Sequence, residues 1–311
     1  MKTIILNAPG SVDQLEYVDI AIPEIGTGEV LVKVKSISVN PVDTKVREGK
    51  GLYAALKDAS PIILGWDIAG VIQASRSESF KPGDEVFGMV NFPGHGKAYA
   101  EYVAAPASQL AIKPVNVSFE EAAASTLVAL TAWQALVTNG KVEAGQRVLI
   151  HAAAGGVGHI AVQLAKHLGA IVTGTSSSKN KDFVLGLGVD RHIDYRGFDW
   201  QIQPREYDFV LDTIGGYNID NSIAVTREGG TIISIPTGLS DQVSERAKEK
   251  RVNGYFILVK SSGDDIKQIA SLLEKGVIKP HVSQSFDFSQ IREAHLQIES
   301  GRTVGKVVVV L

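Results

Sequence analysis

Apolar and polar positions follow two different rhythms along this chain. Between about 118 and 261, short apolar runs at 148–151, 171–173, 209–212, 231–235 and 255–258 predict buried strands, with helical stretches between them. The clearest helix follows the first run. Ile160, Ala161, Leu164, Ala165 and Leu168 share one face, and Gly169 stands where the helix should stop. Strand and helix in alternation predict a doubly wound parallel sheet. Upstream, residues 30–39 read as a strand of mostly alternating character stopped by Asn40-Pro41, and 68–72, 85–88 and 99–103 read as further short strands. Gly and Pro punctuation, such as Lys81-Pro82-Gly83-Asp84, suggests a partly open barrel there. Ser118 and Glu121 form a capping-box pair opening a helix over 122–137. Helices over 264–275 and 289–300 and a strand over 305–311 follow, so the predicted plan is an α/β domain inserted between two parts of a β-rich one.

Composition narrows the function classes. The 311 residues suffice for two cores, and 44% hydrophobic with 21% charged residues is ordinary for a globular chain. A net charge of −3 with no basic block argues against nucleic acid as a partner. The absence of cysteine excludes disulfides, thiolate zinc sites and cysteine nucleophiles. No apolar run is long enough to span a membrane, and the start has too short an apolar core for a signal peptide, so a cytoplasmic location is expected.

The candidate chemistry lies where the first predicted strand meets its helix. Val148-Leu149-Ile150 runs into His151-Ala152-Ala153-Ala154-Gly155-Gly156-Val157-Gly158. Gly155 would let a backbone approach phosphates, Gly158 would let the helix pack on the strand, and the helix N-terminus offers free amides and a positive dipole end. The usual first glycine is missing, with Ala152 or Ala153 near its place. An NAD site normally puts an acidic side chain at the end of the second strand. Here Ser176-Ser177-Ser178-Lys179 stands there instead and no acid follows until Asp182, which favours a 2′-phosphate and hence NADPH. The same serines also suit a helix cap, and one segment can do both.

Several phrases together resemble one family: Asn40-Pro41-Val42-Asp43, Gly65-Trp66-Asp67-Ile68-Ala69-Gly70-Val71, Lys81-Pro82-Gly83-Asp84-Glu85-Val86, the glycine turn, Asp212-Thr213-Ile214-Gly215-Gly216 and Gly305-Lys306-Val307-Val308. In order and over the whole length, they resemble the zinc-free quinone oxidoreductase (zeta-crystallin-like) branch of the medium-chain dehydrogenase/reductase superfamily. That resemblance implies a GroES-like β-rich catalytic domain at 1–117 and 262–311 and a Rossmann domain at 118–261. It implies a homodimer as well. Ala154, Gly155, Gly156, Val157 and Gly158 match the diphosphate turn, Ser176 and Lys179 the 2′-phosphate region, and Tyr195 a tyrosine bordering the adenosine half. Thr131 matches a threonine near the nicotinamide, although it could simply bond its own backbone. Phe256 matches the strand flanking the nicotinamide, although it reads equally as an apolar strand residue.

The implied activity is NADPH-dependent hydride transfer to a quinone or an α,β-unsaturated carbonyl. Conjugate addition puts charge on an already delocalised oxygen, so a hydrogen-bond donor can replace a Lewis acid. Lys45 is the candidate donor, standing where many quinone reductases have tyrosine, and Asn40 could hold the substrate carbonyl or the nicotinamide. Solvation is the ordinary fate of a lysine. His95 and His281 lack a ligand-spaced partner, so no metal is expected. Substrate choice would fall to loops 49–53, 91–96 and 237–239. An NADPH-binding protein with a structural or regulatory role is the alternative from another class.

Overall fold

A computed structural model describes residues 1–235 and 240–311, with side chains at 240–242 outside the description, so the substrate-loop expectation for 237–239 lies outside the described residues. The chain divides into two compact units, one of Met1–Leu130 with Val259–Leu311 and the other of Thr131–Leu258. The first boundary lies beyond the expected position 117. The helix Phe119–Trp133, opened by the reciprocal bonds between Ser118 and Glu121, gives its Leu127 amide to buried Asp67 (3.0 Å) and so belongs for most of its length to the first unit.

In the first unit the strand Glu29–Val39 is the organiser. It pairs antiparallel with Asp67–Ser75, Tyr102–Pro106 and Lys306–Val310. Its Val30, Val32, Val34, Ile37 and Val39 are buried. The last strand is apolar enough to be buried nearly throughout, and it sets Val307 against Val39 and Val309 against Ile37. A separate three-stranded sheet orders Leu15–Asp19, Lys2–Leu6 and Ile62–Ile63.

The second unit holds six parallel strands in the spatial order Arg191–Asp194, Ile171–Ser176, Arg147–Ile150, Tyr207–Asp212, Thr226–Ser234, Asn253–Phe256. Counted within the unit this is 3-2-1-4-5-6, the dinucleotide-binding order. Val148, Leu149, Ile150, Val210, Leu211, Ile232 and Ile233 are fully buried, as central parallel strands require. The helix Gly156–His167 buries Ile160, Ala161, Leu164 and Ala165 on the sheet. Gly169 ends it in the left-handed region at φ 83°, with Ala170 N donating to Ala165 O and Gly169 N to Lys166 O. Arg191–Asp194 is a strand that its sequence does not announce: only Ile193 is buried, and parallel pairing with Ile171–Ser176 supplies its order.

Candidate functional site

At the carboxyl ends of Arg147–Ile150 and Tyr207–Asp212 the strand order reverses, which is where open α/β sheets bind ligands. The backbone there turns sharply. Ala152 takes φ 47°, so alanine occupies the left-handed region usually reserved for glycine. Its carbonyl accepts the Gly155 amide (2.8 Å) and lies against Gly158. A Cβ at Gly158 would stand 2.2 Å from that oxygen, so only glycine fits; one at Gly155 would stand 3.2 Å away. Gly155 caps the helix, whose first intrahelical bond runs from His159 N to Gly155 O (3.0 Å). The amides of Gly156, Val157 and Gly158 precede that bond, giving an anion a cluster of donors at the positive end of a three-turn helix. The residues present therefore fit a dinucleotide diphosphate.

Polar side chains hold the end of the neighbouring central strand. Asp212 is buried and takes the amides of Ile214 and Gly215 on one oxygen (2.9 Å each) and the Ser222 hydroxyl on the other (3.1 Å). Thr213 Oγ1 donates to His151 O (2.9 Å), tying the two central strand ends together. His151 is buried, and burial pushes its imidazole down to about 4, partly offset by Asp212. Its ring meets Trp200 edge-on, with centroids 5.2 Å apart.

The ends of the second and third strands form a second polar group. Ser176 is buried, and its hydroxyl is engaged with Ser177 O (3.0 Å) and His192 Nε2 (2.8 Å), so its one proton is used inside the protein. Lys179 is exposed. The cation that sequence reasoning missed is Arg196. Its Nη2 donates to Ser178 Oγ (2.7 Å) and Asp194 Oδ2 (2.9 Å), and its Nε donates to Asp194 Oδ1 (3.1 Å). Asp194 lies in register with Ser176 on the neighbouring strand, so an acid does stand beside this site. Its carboxylate also accepts the amides of Ser178 and Arg196, and the Arg196 guanidinium holds it well below the usual carboxylate range. With every oxygen engaged, Asp194 is an anchor for Arg196 rather than an open acceptor for a ribose. The sequence signal was an arginine two residues after an acid, beside the singled-out Tyr195, which is 49% exposed. Thr131 is buried on its helix, and Phe256 is half-buried at the end of the strand Asn253–Phe256.

In the first unit, Asn40 and Lys45 part company. Asn40 is buried; its amide nitrogen donates to Asp67 Oδ2 (2.8 Å) and Ser38 O (3.4 Å), and its Oδ1 accepts from Lys306 Nζ. The expectation that Asn40 grips a substrate carbonyl or the nicotinamide is corrected: no amide hydrogen remains to be offered. Instead Asn40 caps the helix Pro41–Arg47, with Asp43 Oδ2 accepting the Asn40 amide (2.6 Å). Burial, reinforced by Asp67 and opposed by the Asn40 amide and Lys306, pushes Asp43 up to about 8. Burial likewise raises Asp67 and lowers Lys306. Lys45 is half-buried on this helix, and among the described residues its ammonium has no hydrogen-bond or ion-pair partner.

Known proteins share this architecture. Residues 26–115 match the alcohol dehydrogenase GroES-like domain family and residues 187–309 the zinc-binding dehydrogenase family. The NADPH-dependent alkenal/one oxidoreductase of Arabidopsis thaliana chloroplasts is 34% identical over 99% of this chain and 79% of its own length. The structure of the quinone oxidoreductase from Coxiella burnetii superposes with a TM-score of 0.95 at 35% identity, covering 100% of this chain and 99% of that one. That of the Escherichia coli quinone oxidoreductase complexed with NADPH gives 0.86 at 26% identity, covering 100% of both chains. Zinc does not fit the donor set here: cysteine is absent, no three His, Asp or Glu side chains gather among the described residues, and His95 Nε2 is engaged by the Ile63 backbone. The chain belongs to the medium-chain dehydrogenase/reductase superfamily, in its zinc-free quinone oxidoreductase branch.

Proposed function

We propose that this protein is an NADPH-dependent reductase that transfers hydride to a quinone or an α,β-unsaturated carbonyl without zinc. The observation that carries the reading is the pairing of a turn open to a diphosphate with unspent donors one strand away. The amides of Gly156 to Gly158 receive the diphosphate, with Ala154 and Gly155 shaping the approach. Ser178 still has its hydroxyl proton to give, because its oxygen accepts from Arg196, and Lys179 and the remaining face of Arg196 add positive charge for the 2′-phosphate. Ser176 serves that region through its backbone. Tyr195 covers the adenosine half, while Thr131 and Phe256 border the nicotinamide.

Reduced nicotinamide supplies the hydride when the cofactor is bound. Addition at carbon leaves charge on the acceptor's carbonyl oxygen, and Lys45 is the group we assign to stabilise it. Asn40 acts at one remove, fixing the start of the helix that carries Lys45. The relatives bearing enzyme names support catalysis over a purely structural or regulatory role. A homodimer and a cytoplasmic location complete the proposal, and among the described residues no helix is long and apolar enough to cross a membrane.

The test is NADPH oxidation with a panel of quinones and short enones. Turnover should be much faster with NADPH than with NADH, and silence across the panel would remove the reading. Lys45→Ala should lower kcat by at least ~100-fold, the low end for a group acting in the transition state, with a smaller change in the KM for NADPH. An unaltered kcat would take Lys45 out of the mechanism.

A further inference from the structure

The diphosphate turn of this chain is held by a side chain that lies outside it. Thr175, fully buried on the second strand, contacts two successive residues of the turn: its carbonyl accepts the Ala153 amide (2.8 Å) and its Oγ1 accepts the Ala152 amide (3.1 Å). Ala152 is the turn residue in the left-handed region, and its carbonyl in turn accepts from Gly155 and packs against Gly158. An L-residue with a Cβ enters that region at a cost that glycine does not bear, so alanine there needs something to hold it.

We infer that Thr175 is a positioning residue of the cofactor site, its hydroxyl clamping Ala152 in the conformation a glycine would adopt unaided and so keeping the helix N-terminus open to the diphosphate. The same Thr175 hydroxyl stands 3.4 Å from His151 Nδ1, at the end of the first of the two strands. The clamp thus links the ends of the two neighbouring strands through one hydroxyl, and it substitutes for the glycine that the turn lacks.

This inference rests on the NADPH reading, and its test separates the two. Dissociation constants for NADPH and NADH are measured by quenching of tryptophan fluorescence, alongside steady-state kinetics. Thr175→Val keeps the shape and removes the oxygen. It should weaken both nucleotides by a similar factor, about 5–20-fold, because the diphosphate is common to them and the part-buried Ala152 amide loses its partner. The KM for NADPH should rise by that factor while kcat at saturation changes less. Thr175→Ser should bind nearly as the unsubstituted protein does. Adding Ala152→Gly to Thr175→Val should recover most of the lost affinity, a rescue that a merely structural role for Thr175 does not predict. Should Thr175→Val fail to fold, Thr175→Ala with and without Ala152→Gly makes the same comparison. Unchanged binding in the Thr175 variants, failure of Ala152→Gly to rescue, or loss confined to NADPH would each overturn the clamp. Absence of NADPH binding in the unsubstituted protein would instead overturn the parent reading.

Discussion

Two polar groups in this protein use the same residue types to opposite ends. In the first unit Asn40, Asp43, Asp67 and Lys306 are buried and bonded largely among themselves and to nearby backbone, so their chemistry goes into holding the chain. In the second unit Ser178, Lys179 and Arg196 lie at exposed strand ends, and Asp194 takes up only part of the arginine. An acid beside a base thus means buried framework in one place and an exposed pair with donors left over in the other. What separates them is whether donors remain after the internal bonds are counted. By that measure Asn40 has no amide hydrogen left to offer, whereas Arg196 lies exposed beside the Ser178 hydroxyl, where the 2′-phosphate is proposed to bind.

Breaking the buried group should have the largest effect. Lys306→Met removes the buried ammonium that donates to Val39 O and Asn40 Oδ1, and unfolding by urea should show a loss of about 1–3 kcal/mol, the range for buried acceptors left without a partner. A loss below 1 kcal/mol would place this cluster with ordinary surface pairs. A smaller and more selective effect is expected at the exposed group. Arg196→Gln should weaken NADPH about tenfold through loss of one charge-assisted contact, while NADH binding moves by less than about twofold. Equal weakening of both nucleotides would show that Arg196 supports the fold rather than the phosphate.

The finest test uses pH. Asp43 holds its proton in the folded protein up to about 8, far above its value in an unfolded chain, so the folded state binds the extra proton between about 4 and 8. Its contribution to stability is therefore complete below about 4 and is lost as pH rises through 8. Asp43→Asn still offers an oxygen to the Asn40 amide and no longer titrates. Denaturation followed from pH 4 to pH 8 should show a flatter decline in the variant than in the unsubstituted protein. Parallel curves would mean that Asp43 is ionised where it lies.

How far the sequence disclosed all this varied with the range of the interaction. The turn at Gly155 to Gly158 and the helix stop at Gly169 were legible because each depends on residues a few positions apart. Arg191–Asp194 was not, since one buried isoleucine gives no period and the order comes from pairing with Ile171–Ser176. Asn40 was misread because its partners lie 27 and 266 positions away at Asp67 and Lys306, and nothing local shows that its amide is spent. The unit boundary moved for a similar reason. The capping box correctly opened a helix, but the bond from Leu127 to Asp67, 60 positions away, is what ties most of that helix to the first unit. Ala152 sits between these cases. Its place near the missing glycine was visible, while the threonine that compensates lies 23 positions downstream.

The pairing of Lys306–Val310 with Glu29–Val39 also bears on how the protein is made. A ribosome must complete the whole of Thr131–Leu258 before that strand emerges, so the inserted unit can collapse early while its host waits with a vacant sheet edge. Assembly of the host then takes the form of a late zipper, in which closing the final strand and seating the Lys306 ammonium beside Asn40 are one event.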